Sequence, residues 1–151
     1  MKVSDLMQTE VVTLRVADTL DVAENIMNLG RIRHLPVVDA DDRLVGIVTQ
    51  RDLLRAAVSS VLGFDRAKEQ FWLGSIRVRD VMTAEVTTIP PEAEVSEAVD
   101  KMLAGKFGCL PVVEGARLVG LITETDCLRC LRDLLKMGMV KEAPASVRER
   151  T

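Results

Sequence analysis

Two short stretches of this chain carry residue types that could hold a polar ligand around one turn of backbone. Gly46-Ile-Val-Thr49-Gln-Arg-Asp52 and Gly120-Leu-Ile-Thr123-Glu-Thr-Asp126 each run from a glycine through two apolar residues to a threonine, with an aspartate three positions on. With a strand ending at the threonine and a helix opening behind it, Thr takes the N-cap and Asp the third helical position. The carboxylate of such an Asp can accept two hydrogen bonds from a cis-diol, as on a ribose. The Thr hydroxyl, the loose helix N–H groups and the positive end of the helix dipole favour phosphate oxygens. The same Ser/Thr-x-x-acid spacing is a capping box, which ties off helical N–H groups and needs no ligand. Its occurrence twice, each time at the end of a repeated strand, shifts weight towards binding, with the cap as the alternative.

The rest of the sequence narrows the choices. A formal charge of −3 over 151 residues, with 28% charged residues of both signs, argues against a dedicated polyanion binder, so nucleic acid is not an expected partner. No apolar run approaches the roughly 18 residues that span a bilayer, and the first residues lack a secretion signal. A soluble cytoplasmic protein with no membrane partner is expected. Three cysteines do not make a disulfide framework. Cys127-Leu-Arg-Cys130 spells C-x-x-C, but there is no second pair and the sole histidine, His34, is far away in sequence, so neither a zinc site nor a required cofactor is expected. The chain has no phosphate loop and no Gly-x-Ser-x-Gly elbow, and its one His has no evident nucleophile beside it. It does not read as an enzyme, and no catalytic residues are assigned.

The elements that must position the two Thr-x-x-Asp turns are themselves duplicated. Val3-Ser-Asp-Leu-Met7 matches Val78-Arg-Asp-Val-Met82 at an offset of 75, which also superposes Thr13 on Thr88, Met27 on Met102, Gly30 on Gly105 and Leu35-Pro-Val-Val38 on Leu110-Pro-Val-Val113. Past the next turn the offset is 74, bringing Thr49 onto Thr123 and Asp52 onto Asp126. Each copy alone would be marginal by surface-to-volume scaling, so the two should fold as one unit about a pseudo-twofold axis with paired clefts between them. Each reads as β-α-β-β-α. A β-branched run, Val11–Thr13 or Val86–Ile89, suggests the first strand. The stripe Leu20, Ala23, Ile26, Met27, and in the second copy Val95, Ala98, Val99, Met102, Leu103, suggests a helix, with Gly30 and Gly105 as left-handed caps. A hairpin follows, with Pro36 and Pro111 expected at a first strand position or on an edge, and a last helix begins near Gln50 or Glu124. Thr13 and Thr88, with the strand entries His34-Leu35-Pro36 and Cys109-Leu110-Pro111, could wall a base pocket.

We divide the chain into repeat 1 over residues 1–62, a linker with room for a short helix over 63–77, repeat 2 over 78–138 and a flexible tail over 139–151. Phe64, Phe71 and Trp72 concentrate outside the duplicated pattern. They either pack on their own module or form a dimer or partner contact.

The Asp-apolar-Met opening, Thr88-Ile-Pro-Pro91, the apolar-Pro-Val-Val strand and the Gly-apolar-apolar-Thr-x-x-Asp ending together resemble a tandem CBS (cystathionine β-synthase) domain pair, or Bateman module, from about Val3 to Leu131. The resemblance implies an α/β (α+β) fold of two packed CBS repeats, frequent assembly into disc-like homodimers, and an adenosyl ligand (AMP, ADP, ATP or S-adenosylmethionine) in the inter-repeat clefts. Carried over residue by residue, Asp52 and Asp126 become ribose binders, Thr49 and Thr123 phosphate-side contacts, and Thr13 and Thr88 border the base pocket. The first copy departs from the pattern, with Val16 where the second has Pro91. The strand entries also differ: Arg31-Ile-Arg33-His34 is cationic beside Lys106-Phe107-Gly108-Cys109, and the resemblance suggests that Arg33 and His34 reach a polyphosphate. The expected function is a regulatory module that senses an adenine nucleotide and changes shape or association. With no effector domain on the chain, it would act on a separate effector protein, or buffer or report nucleotide by itself. The alternative is a ligand-free dimerisation scaffold whose Thr-x-x-Asp turns are helix caps.

Overall fold

The computed structural model describes residues 1–58, 65–144 and 146. Its elements run β1 (Leu14–Arg15), α1 (Leu20–Gly30), β2 (His34–Val38), β3 (Leu44–Thr49), α2 (Gln50–Val58), α3 (Arg66–Gly74), α4 (Val95–Gly105), β4 (Cys109–Glu114), β5 (Arg117–Thr123) and α5 (Glu124–Lys136), with 3-10 turns at Val3–Asp5 and Val78–Asp80. The two hairpins repeat each other in detail. His34 faces Thr49 and Val37 faces Gly46 across β2–β3, and Cys109 faces Thr123 and Val112 faces Gly120 across β4–β5. Each carries a register shift between its two valines, Val37/Val38 and Val112/Val113. The shorter turn of the second hairpin passes through Gly115 at φ +62°, which accounts for the offset falling from 75 to 74.

The openings of the two copies are exchanged. Val3, completely buried, packs with Ile89, Ala98, Met102, Leu110, Val112 and Ile122 of the second copy, and its N–H donates to the Ala93 carbonyl at 2.8 Å. Val78, likewise buried, packs with Leu14, Leu20, Leu35 and Val48 of the first copy, and donates to the Asp18 carbonyl at 2.8 Å. Met7 then lies on Gly120 and Met82 on Gly46: a Cβ on either glycine would stand 2.6 or 2.5 Å from the methionine sulfur. Beyond each methionine the backbone pairs with the foreign strand, Gln8 with Leu121 (2.8 and 2.9 Å) and Thr83 with Ile47 (3.0 and 3.0 Å). The hairpin turns are tied by Leu44 N–H to Ala116 O at 2.9 Å and Leu118 N–H to Asp42 O at 3.1 Å. These reciprocal pairs define the pseudo-twofold relation between the repeats.

Several sequence expectations shift. The first strand forms at Leu14–Arg15, not over Val11–Thr13, and its counterpart is a single bridge at Ile89, because Leu14 and Ile89 are the fully buried positions that reach Val37 and Val112. The left-handed residues are Arg31 (φ 51°) and Lys106 (φ 53°), one position beyond Gly30 and Gly105. The glycines end their helices because a Cβ at Gly105 would stand 2.1 Å from the folded-back Phe107 ring, and one at Gly30 would touch Ile32 at 3.4 Å. Leu103 is exposed rather than in the stripe, like its polar counterpart Asn28. Pro36 and Pro111 sit third in their strands. The Pro111 carbonyl accepts from Ile89 N–H at 3.1 Å, so its nitrogen faces that short side and no bond to β5 is lost.

Between the copies, Asp65 caps α3 by accepting from Lys68 N–H at 3.0 Å, and the helix ends with Gly74. Leu73 anchors it in the first core while Phe71 is 83% and Trp72 41% exposed; Phe64 lies outside the described residues. The reciprocal packing has a direct test. Gly120→Ala should lower the unfolding free energy by about 1–3 kcal/mol, because Met7 and the Gln8 carbonyl (3.0 Å) leave no room for a methyl. Urea denaturation measures this, and wild-type stability in the variant would contradict the exchange.

Candidate functional site

Both Thr-x-x-Asp turns form at the junction of a last strand and its following helix. In the first copy, Oδ2 of Asp52 accepts from the Thr49 N–H at 2.7 Å and from the Thr49 hydroxyl at 3.0 Å. In the second, Oδ2 of Asp126 accepts from the Thr123 N–H at 2.9 Å and hydroxyl at 2.7 Å, and the Asp126 N–H donates back to that hydroxyl at 3.2 Å. The second turn is thus a complete capping box. The first N–H of each helix is also satisfied, Gln50 by the Arg33 carbonyl at 2.9 Å and Glu124 by the Gly108 carbonyl at 3.1 Å.

The two carboxylates differ in what else they touch. Gln8 Nε2 donates to Asp126 Oδ1 at 3.0 Å and to Oδ2 at 3.2 Å, and the Arg129 guanidinium stands 4.0 Å from Oδ1. Asp126 is 6% exposed, the one buried charged residue among those described. Asp52 is half-buried, and its Oδ1 accepts no hydrogen bond among the described residues. The position related to Gln8 by the repeat offset is Thr83, whose side chain is too short to play the same part. Sequence reasoning missed Gln8; its signal was that it follows the repeated Asp-apolar-Met opening and breaks the repeat.

The remaining candidates spread along the hairpins. Thr13 directly precedes β1 and Thr88 precedes the Ile89 bridge, both half-buried. Thr88 lines a groove of about 160 Å³ with Leu44, Val86 and Val113, where the two hairpin turns meet. A larger groove of about 330 Å³ runs between α4 and α5 past Cys127 and Cys130. Neither groove is lined by Asp52 or Asp126, so neither joins a threonine of the first strand region to the aspartate of its copy. His34 pairs with Thr49 across the sheet and crosses to the other copy, its Nε2 standing 2.8 Å from where a Gly108 Cβ would be. Burial, then the Arg33 guanidinium and Arg51, hold its pKa below the usual value against an opposing pull from Glu124. Arg33 is exposed beside it, at the entrance to α2.

The cysteines are all free thiols. Cys109 faces Thr123 at the start of β4, and burial, then Glu124, pushes its pKa up to about 12. Cys127 is half-buried and raised by desolvation, then by the Asp126 charge. Among the described residues no three His, Cys, Asp or Glu side chains converge as a metal site, and no helix is long and apolar enough to cross a membrane.

Known proteins share this architecture. The CBS domain pattern matches residues 3–59 and again 78–133. A CBS domain-containing protein of Dictyostelium discoideum is 36% identical over 135 residues, covering 89% of this chain and 93% of that protein. The inosine-5'-monophosphate dehydrogenase of Methanocaldococcus jannaschii is 35% identical over 94% of this chain, which spans 24% of the enzyme. Among solved structures, a Vibrio cholerae protein provisionally named as an acetoin utilization protein (AcuB) superposes with a TM-score of 0.77 at 38% identity, covering 95% of this chain and 98% of its own. The CBS domain pair of protein MJ0100, solved with 5'-methylthioadenosine and S-adenosyl-L-methionine, gives 0.75 at 25% identity, over 88% of this chain and 97% of its own. CBSX2 in complex with AMP gives the same four values.

The half-buried imidazole sets a pH dependence. Because the folded-state pKa of His34 lies below 6.5, the unfolded chain binds the proton more readily, and stability falls as pH drops below 6.5. His34→Gln should remove this part of the loss. Urea midpoints at about pH 7 and pH 5 measure it, and an equal decline in wild type and variant would refute it.

Proposed function

The chain belongs to the CBS domain family, and we propose that it is a regulatory module that binds an adenosyl ligand at its Thr-x-x-Asp helix termini. The observation that carries this reading is the open Oδ1 of Asp52 at the start of α2, with Oδ2 held in place by Thr49. Its two lone pairs suit a ribose cis-diol, while the remaining first-turn N–H groups, Arg33 and Arg51 suit phosphate oxygens, with Thr49 on that side spending its hydroxyl proton on Asp52. Thr13 and Thr88 border the base, and His34 backs the first phosphate side. The reading is supported by the solved relatives that carry 5'-methylthioadenosine, S-adenosylmethionine or AMP. AMP, ADP, ATP and S-adenosylmethionine all offer the same ribose and adenine. The module does no chemistry on its ligand. Binding acts by favouring one arrangement of the repeats over another, changing the shape or association of a homodimer and, through it, a separate effector protein. Three free thiols fit a reducing cytoplasmic setting.

A ligand-free scaffold is the second reading, favoured by one observation: at Asp126 both carboxylate oxygens already accept hydrogen bonds within the chain. Isothermal titration of nucleotide-stripped protein with AMP, ADP, ATP and S-adenosylmethionine separates the two. Binding should be lost or weakened in Asp52→Ala and to a different extent in Asp126→Ala, and saturation at 100 times the dissociation constant should add about 2.7 kcal/mol to stability. Silence with every ligand leaves the scaffold; equal losses in both variants contradict two unlike sites.

A further inference from the structure

Resting on the nucleotide-binding reading, we infer that Gln8 is the residue that decides which of the two aspartates accepts the ligand: its amide occupies the acceptor positions of Asp126 that a ribose diol would need, leaving Asp52 as the open site. A carboxylate has about four lone-pair positions. At Asp52 two are taken on Oδ2 by Thr49, and the two on Oδ1 remain, which matches the two donors of a cis-diol. At Asp126 Thr123 takes the same two on Oδ2, and Gln8 Nε2 takes one on Oδ1 at 3.0 Å while also approaching Oδ2 at 3.2 Å. One position is left, flanked by Arg129 at 4.0 Å. A diol can therefore seat on Asp126 only after the amide leaves.

Gln8 is well placed for this role. Its backbone is pinned to Leu121 by two hydrogen bonds, N–H to O at 2.8 Å and O from N–H at 2.9 Å, and the preceding Met7 is wedged on Gly120. The segment cannot drift off β5, yet the side chain itself is on an exposed residue and can swing into solvent without breaking the backbone pairing. The first copy has the same pinned backbone, Thr83 with Ile47 at 3.0 and 3.0 Å, without a side chain able to span to Asp52. On this repeated backbone frame, the amide is what separates the two sites at Oδ1. Because Gln8 belongs to the first copy and Asp126 to the second, a ligand that did enter the second site would break a contact between the repeats, whereas one entering the first would not.

The test reads each site alone by titrating with AMP and with S-adenosylmethionine. In an Asp52→Ala background, Gln8→Ala should tighten binding at the Asp126 site about tenfold, the scale of one hydrogen bond to a charged group removed from competition. In an Asp126→Ala background, Thr83→Gln should weaken binding at the Asp52 site by a similar factor. The gain from Gln8→Ala should vanish with 2',3'-dideoxyadenosine monophosphate, which lacks the competing hydroxyls; a general loosening of the fold would not make that distinction. An unchanged or weakened Asp126 site in Gln8→Ala, with the wild type still binding at Asp52, overturns the role of Gln8 and leaves the nucleotide reading standing. No binding of either ligand by wild type or any variant overturns both.

Discussion

The structure depends on the exchange of the two opening segments. Val3 completes the core of the second repeat and Val78 that of the first, each fully buried and each hydrogen-bonded to its host backbone. Burying such a side chain contributes about 1.5–3 kcal/mol, and the methionines that follow are received by glycines whose missing Cβ is what allows the contact. Neither repeat therefore contains its whole core within its own span. A chain of this kind cannot move its repeats independently at low cost.

The same exchange makes the two candidate sites. Each segment, after its methionine, pairs with the last strand of the other repeat, and on one side its next side chain reaches the helix terminus where Thr and Asp meet. On one side that side chain is Gln8, long enough to reach a carboxylate; on the other it is Thr83. Symmetry of the backbone thus produces asymmetry of the chemistry. The buried Asp126 carboxylate accepts hydrogen bonds from both repeats, which ties them together. Asp52 keeps half of its accepting capacity in reserve. At Asp52 the cap consumes one carboxylate oxygen and leaves the other.

Much of this was legible in the chain of letters. The offset of 75 falling to 74 located both hairpins, and Ser/Thr-x-x-acid spacing located both helix starts, because strand ends and helix caps depend on residues a few positions apart. The helix ends were less legible. A glycine near the end of an apolar stripe suggests a left-handed cap, but here the glycines make room for Ile32 and Phe107 to fold back, and Arg31 and Lys106 carry the positive φ. The β-branched residues at 11–13 favour a strand there by propensity, whereas burial against Val37 selects Leu14.

By itself the sequence determined the duplicated β-α-β-β-α order, the apolar faces, and the paired Thr49–Asp52 and Thr123–Asp126 turns, all of which follow from local spacing and periodicity. Only the tertiary structure decided that each opening belongs to the other core, that His34 packs on Gly108, and that Gln8 rather than solvent meets Asp126. Those contacts join residues up to 118 positions apart, and no local pattern encodes which of two equivalent surfaces a segment will cover.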